Sequence, residues 1–268
     1  MKPEALWSLA ALAAGLIFLS PVLYTIWMSF LTVDSYYAGT PVLTLDNYRA
    51  AFGEFDFLRY LLNSLLVSGV VTLGGLALAV MAAFAFARFT FPGGDFLFAA
   101  VVATLMIPSH ITLIPNYLSL AKVGLLDSYA GLILPAISNG FAAFFLRQYI
   151  RGIPRALDEA AYMDGARPLQ VLWRVIVPLA RPAILSMGLY IFITEWNNYI
   201  WPLVAISDSD LYTLQIGLAK LYRENPGEDV INWPLVMAAS TITILPILIG
   251  FLAVERHLVR GITMGAVK

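Results

Sequence analysis

Apolar residues come in long blocks along this chain, and polar residues come in short ones. Residues 5–32, 60–87, 96–121, 128–146 and 230–254 contain no charged side chain, and residues 182–207 are interrupted only by Glu195. A helix crossing a bilayer needs about 20 apolar residues, so each block is long enough for one span. The pattern predicts an all-α polytopic membrane protein with six transmembrane helices, at about 5–31, 61–87, 96–120, 129–149, 182–206 and 234–255. The remaining segments are a polar loop at 150–181 and a tail at 256–268. Lys2 precedes the first block as in a secretion signal, but the apolar run is too long for a signal h-region of about 7–15 residues. No small-residue cleavage site follows, so it is expected to be an anchor.

An even number of spans puts both termini on one side. With the N-terminus inside, eleven of the sixteen basic residues fall on inner segments: Lys2, Arg88, Arg147, Arg151, Arg155, Arg167, Arg174, Arg181, Arg256, Arg260 and Lys268. Arg49, Arg59, Lys122, Lys220 and Arg223 fall outside. Basic residues accumulate on cytoplasmic loops, so both termini and the 150–181 loop are expected in the cytoplasm.

Composition agrees with a membrane protein. Of 268 residues 60% are hydrophobic and 12% charged, against roughly 25% charged in soluble domains. Mean hydropathy is +0.80. A net charge of −1 gives no reason to expect nucleic acid, and the lack of cysteine excludes disulfides and thiol chemistry. No G-x-x-x-x-G-K-[ST] occurs, so ATP, if used, is held by another subunit.

The 150–181 loop has its own logic. Pro154 and Pro168 suit helix starts, and Gly165 suits the left-handed position that ends a helix. Leu169, Leu172, Trp173 and Ile176 share one helical face. The helix between Pro154 and Gly165 is about ten residues, below the length stable alone in water, so it needs something to dock against. Ala160 and Ala161 form a smooth patch, and Glu159 and Asp164 offer charge to a basic partner. These features fit either a docking helix or a plain amphipathic surface loop.

The order Glu159-Ala160-Ala161, Gly165, Val175-Ile176-Val177-Pro178 resembles the EAA loop of ABC-importer permeases, with Val175 and Val177 in place of Ile and Leu. Asn63-Ser64, FARFTFPG (86–93), IPSHITLIPNY (107–117), RQYIRGIP (147–154), WNNYIWPL (196–203) and the VRGITMGAVK tail are similar to the sugar-type, binding-protein-dependent members of that family. The resemblance, closest to the smaller permease of the maltose type, covers nearly the whole chain. It implies the type I importer permease fold, a cytoplasmic membrane location in a prokaryote, and a function in ATP-driven carbohydrate import. It implies that Glu159, Ala160, Ala161, Asp164, Gly165 and Ala166 form the coupling helix that docks on an ATPase subunit. Gly261 and Gly265 would contact the ATPases. Expected partners are a second, related permease, two ATPase subunits and a solute-binding protein touching outer loops that include 208–233. ATP and magnesium would sit in the ATPases, with no cofactor bound by this chain. Glycerol-phosphate import is the alternative substrate within the family.

The candidate solute contacts are Glu195, Trp196, Asn197, Asn198 and Tyr199, with Asn116 and Tyr117 in the proline-bearing third block. A lone acid in a span costs roughly 2.5–3.5 kcal/mol, so Glu195 must face the interior or water. Aromatic faces beside amides suit a polyhydroxylated solute, and the same group equally suits an inter-helix packing cluster. Ser109 and His110 do not make a catalytic pair with any third residue by spacing, so an enzyme is not expected. An ion-coupled transporter using Glu195 would predict internal repeats with paired broken helices, and none is legible. Gly69, Gly74 and Gly75 are expected to be close-packing sites.

Overall fold

The computed structural model describes residues 3–53, 55–108, 110–223 and 231–266. Asn225-Pro226-Gly227 and the acids Glu224, Glu228 and Asp229 lie outside the described residues. The described chain is helical, with one isolated bridge between Leu31 and Leu43. It divides into two compact units. One comprises Met1–Leu61 with Leu214–Ile247, the other Leu62–Thr213 with Leu248–Lys268.

In the first unit, the helix Pro3–Ser29 leaves large apolar side chains exposed from Trp7 to Trp27, among them Leu12, Phe18 and Leu23. Apolar surface of that extent is compatible only with lipid or a protein partner. The end of this helix is tied by the Asp46-Asn47-Tyr48 segment. Buried Asn47 donates its amide to the carbonyls of Ser29 and Leu31, at 2.9 and 2.8 Å. The Tyr48 and Ser29 hydroxyls lie 2.6 Å apart. These bonds satisfy carbonyls that a helix end leaves without intrahelical partners. The expected polar loop 208–233 carries a ten-residue helix, Leu214–Arg223. Leu214, Ile216 and Leu221 are buried, and Gly217 admits the Tyr60 ring so closely that a Cβ there would lie 2.4 Å from it.

The second unit contains the core formed by Val71, Ala83, Leu132, Leu146, Ile150, Leu172, Ile176 and Ile191. The helix Phe57–Arg88 enters it and carries small residues where other backbone comes near. A Cβ on Gly74 would lie 2.8 Å from Ile137 Cδ1, and one on Gly75 3.0 Å from the Ile137 carbonyl oxygen. Both are close-packing sites, as expected, whereas Gly69 faces open space. The FARFTFPG turn follows: Phe86 meets Phe91 and Phe98, and Gly93, at φ +79°, starts the next helix. Buried Arg147 places its guanidinium 3.7 Å over the Phe98 ring and donates from Nε to the Phe86 carbonyl.

Among the described residues three helices are long and apolar enough to cross a membrane unbroken: Trp7–Ser29, Phe57–Arg88 and Trp233–Glu255. The expected third, fourth and fifth spans are each interrupted. The third is Gly94–Thr104 and then Leu113–Lys122, separated by turns around Pro108, which has no N–H to continue the ladder. The fourth is Tyr129–Ile133 and Gly140–Arg151, divided at Pro135, with Asn139 capping the second piece through Ala142 N–H. The fifth is Arg181–Trp196 and Ile200–Ala205, divided at Asn197-Asn198. The helix Trp233–Ala266 runs on past its apolar part, Trp233–Glu255, through Gly261 and Gly265.

Candidate functional site

The three interruptions meet. A cavity of about 410 Å³ in the second unit is lined from the first break by His110, Thr112, Leu113 and Asn116, from the second by Pro135 and Ala136, and from the third by residues 194–201 except Trp196. Non-helical backbone at membrane depth is tolerated where it is buried in protein or lines a wet cavity, because its polar groups otherwise lack partners. The broken helices and the cavity are therefore one feature. The first and third breaks also supply polar side chains to the wall.

Of the residues expected to contact solute, Asn116, Glu195, Asn197, Asn198 and Tyr199 line this cavity. Asn198 donates its amide to Glu195 Oε2 at 3.2 Å, and Asn197 turns its amide back to the Ile193 carbonyl at 2.8 Å. Trp196 does not line it: the indole is buried and stacks on Phe192, with ring centroids 5.6 Å apart. Tyr117 is exposed on another face of its helix and is not part of the wall. Trp201 was not singled out from sequence. It lines the cavity and donates Nε1–H to the Gly131 carbonyl at 3.1 Å. That bond holds the third break against the second.

A cluster at one end of this unit fixes the segments that enter and leave the cavity. Asn63 donates to the carbonyls of Asp210 and Tyr212 at 2.9 Å each, and accepts from the Tyr129 hydroxyl at 2.7 Å. Asp127, at φ +51°, accepts from the backbone N–H groups of Ser207 and Asp208. These bonds hold its carboxyl below the usual carboxylate range, the Ser207 bond contributing most.

The loop after Gly140–Arg151 forms a second candidate surface. Its helix, Ala156–Met163, ends as the sequence predicts, with Gly165 at φ +80° and Ala166 N–H bonded to the Ala161 carbonyl. Glu159, Ala160, Tyr162, Met163, Asp164 and Gly165 are exposed, while Ala161 and Ala166 are half-buried. The inward side is ionic. Arg88, the last residue of Phe57–Arg88, brings Nε to 2.5 Å from Asp158 Oδ2, and both side chains are nearly inaccessible. Arg88 also donates from a terminal nitrogen to the Ile153 carbonyl at 3.0 Å. Burial pushes the Asp158 carboxyl up, against the opposing pull of Arg88. This pair was not singled out from sequence; the only signal was an acid one residue before Glu159, on the opposite side of a short helix. A second cavity of about 360 Å³ lies beside the pair, lined by Arg155, Glu159, Tyr162 and Pro168 among others.

Beyond Pro168 the chain forms a helical rod, Pro168–Leu179, that meets Arg181–Trp196 at 82°. Its middle, Leu172–Ile176, is wound as a π-helix. Pro178 explains the wider turn, since a proline ring collides with the carbonyl four residues earlier in an α-helix.

Residues 75–264 match the family described as "Binding-protein-dependent transport system inner membrane component". The arabinooligosaccharides transport system permease protein AraQ of Halalkalibacterium halodurans is 36% identical over 227 residues, covering 84% of this chain and 80% of that protein. The sn-glycerol-3-phosphate transport system permease protein UgpE of Escherichia coli O157:H7 is 36% identical over 206 residues, covering 77% and 73%. A solved chain from a bacterial ABC transporter involved in the import of the acidic polysaccharide alginate superimposes with a TM-score of 0.83. It is 24% identical, and the match covers 96% of this chain and 98% of that one, a likeness of fold.

Proposed function

The chain belongs to the family of binding-protein-dependent transport system inner membrane components, and from that premise we propose that it is one permease subunit of an ATP-driven importer carrying a carbohydrate across the cytoplasmic membrane. The observation that carries this reading is the meeting of three helix breaks at one cavity walled by amides, hydroxyls and aromatic rings. Such a wall exchanges hydrogen bonds with hydroxyl groups and stacks on sugar C–H faces.

In this reading the six apolar segments cross the membrane, three of them as broken spans, with both termini in the cytoplasm. The cavity is this subunit's share of a pathway completed by a second, related permease. The exposed face of Ala156–Met163, with Glu159, Ala160, Asp164 and Gly165, docks on an ATPase subunit, and Ala161 and Ala166 set its close approach. The helix end around Gly261 and Gly265 reaches toward the ATPases, where ATP and magnesium bind. The 208–233 segment faces the solute-binding protein. Closure of the ATPases on ATP moves the docked helix and opens the cavity outward. Hydrolysis returns it to the inward state.

The test is ATPase activity of the reconstituted complex with and without binding protein and solute, for the wild type and Glu159→Lys. Stimulation by loaded binding protein, lost or uncoupled from transport in Glu159→Lys, is the expected result. Solute uptake on an ion gradient alone, indifferent to ATP and to Glu159, refutes the importer reading. Glycerol-phosphate import is the second reading, favoured by the 36% identity to UgpE. Against it, none of the described residues lining the cavity is Lys or Arg.

A further inference from the structure

We infer that the cavity excludes anions, that its solute is a neutral or amine-bearing carbohydrate, and that Glu195 sets this preference. The inference rests on the importer reading above and narrows it.

Among the described residues lining the cavity, Glu195 is the one carboxylate. None of the described residues lining the cavity is Lys or Arg, and the Asn198 amide, a neutral group, donates to the Glu195 carboxylate. An acid solute entering there meets a like charge at short range with no cation to bridge them. In a confined, weakly screened site that repulsion is far stronger than in water.

Polar groups also lie behind the carboxylate. On its far side Glu195 borders a second, small cavity with Asn198, Ser64, Ser68 and Thr213. Its volume of about 10 Å³ is close to the least that holds one water. The Thr213 hydroxyl is buried there without a hydrogen-bond partner, so a water in this space has a group to satisfy. Glu195 thus stands between a wide cavity and a water-sized polar one.

The test uses the complete complex in proteoliposomes. Probes are a neutral disaccharide, the same disaccharide bearing a uronic acid, and sn-glycerol 3-phosphate. All are supplied at concentrations that load the binding protein, and loading is measured separately by calorimetry. Uptake per loaded binding protein is expected to be at least about tenfold lower for the acid disaccharide and the phosphate than for the neutral one. Glu195→Gln should raise the acid-to-neutral ratio by about tenfold, and Asn116→Asp, which adds a second acid to the same wall, should lower it further. The two variants keep the test decisive if either fails to assemble. Equal uptake of acid and neutral solutes by the wild type, or a ratio that neither variant moves, overturns the inference. If no solute stimulates ATP hydrolysis or uptake in the wild type, it is the importer reading that fails.

Discussion

Removing Arg88 should unseat the loop that carries Glu159. Arg88 and Asp158 side chains are only 5% and 7% exposed, with 2.5 Å between Nε and Oδ2. Asp158 Oδ1 already has no hydrogen-bond partner, so the guanidinium is the principal compensation for a buried carboxylate. Breaking a buried pair by deleting one partner costs about 3–5 kcal/mol, whereas replacing both by apolar side chains of similar size is often neutral. Arg88→Ala is therefore expected to lower the Tm of the detergent-solubilised complex by roughly 6–20 °C, taking about 2–4 °C per kcal/mol. The double variant Arg88→Met/Asp158→Leu should recover most of that loss. The pH dependence has a definite sign. Without Arg88 the larger of the two opposing charges is gone and only Arg155 is left against burial, so the folded-state pKa of Asp158 rises further above its unfolded value. A raised carboxyl pKa means the folded state holds the extra proton, so stability falls as pH rises through the interval between the two values. The Arg88→Ala deficit should thus shrink on going from pH 8 to pH 5, and Asp158→Asn in the Arg88→Ala background should remove that pH dependence. Equal Tm losses in the single and double variants, or a deficit that grows on acidification, would refute the reasoning.

Other outcomes follow from close contacts and loop bonds. Gly131→Ala would put a Cβ 2.1 Å from the Leu125 carbonyl oxygen, which is backbone and has nowhere to go. It is expected to destabilise the complex by about 1–3 kcal/mol or more and to weaken the Trp201 bond to the Gly131 carbonyl, read as a change in tryptophan fluorescence. Asp127, with its folded pKa lowered by the Ser207 and Asp208 amides, should steady that turn at neutral pH and release it as pH falls below the unfolded value of about 3.9 and through the lower folded one. Hydrogen exchange at Ser207 and Asp208 should accelerate in Asp127→Ala at neutral pH, and an unchanged rate would show that these bonds do not hold the turn.

The helical class was readable from block length alone, and Gly165 was readable because only a left-handed residue ends a helix in that way. The breaks were not readable from hydropathy, since the apolar runs continue through them unaltered. Pro108 and Pro115 gave a hint in the third block, but Asn197-Asn198 interrupts the fifth with no proline. The helix Leu214–Arg223 was hidden because Lys220 and the neighbouring acids make the segment read as a polar loop. Trp196 and Tyr117 were grouped with the cavity residues by adjacency in sequence. The helical turn sends Trp196 about 100° round from Glu195, against Phe192. Asp158 was not separated from Glu159 because burial depends on Arg88, seventy residues away, which no local pattern reveals.

The 82° angle between Pro168–Leu179 and Arg181–Trp196 makes a bell crank of this part of the chain. One arm follows directly on the Ala156–Met163 loop, and the other ends at Glu195 and the Asn197-Asn198 break. The second arm has sixteen residues, which at 1.5 Å per residue is about 24 Å. If the elbow at Ala180 stays rigid, a tilt of about 5° in the first arm sweeps the far end of the second by about 2 Å, given that length. That is a large fraction of a hydroxyl group's width. A small rotation at the loop is thus enough to change which polar groups face one another across the cavity.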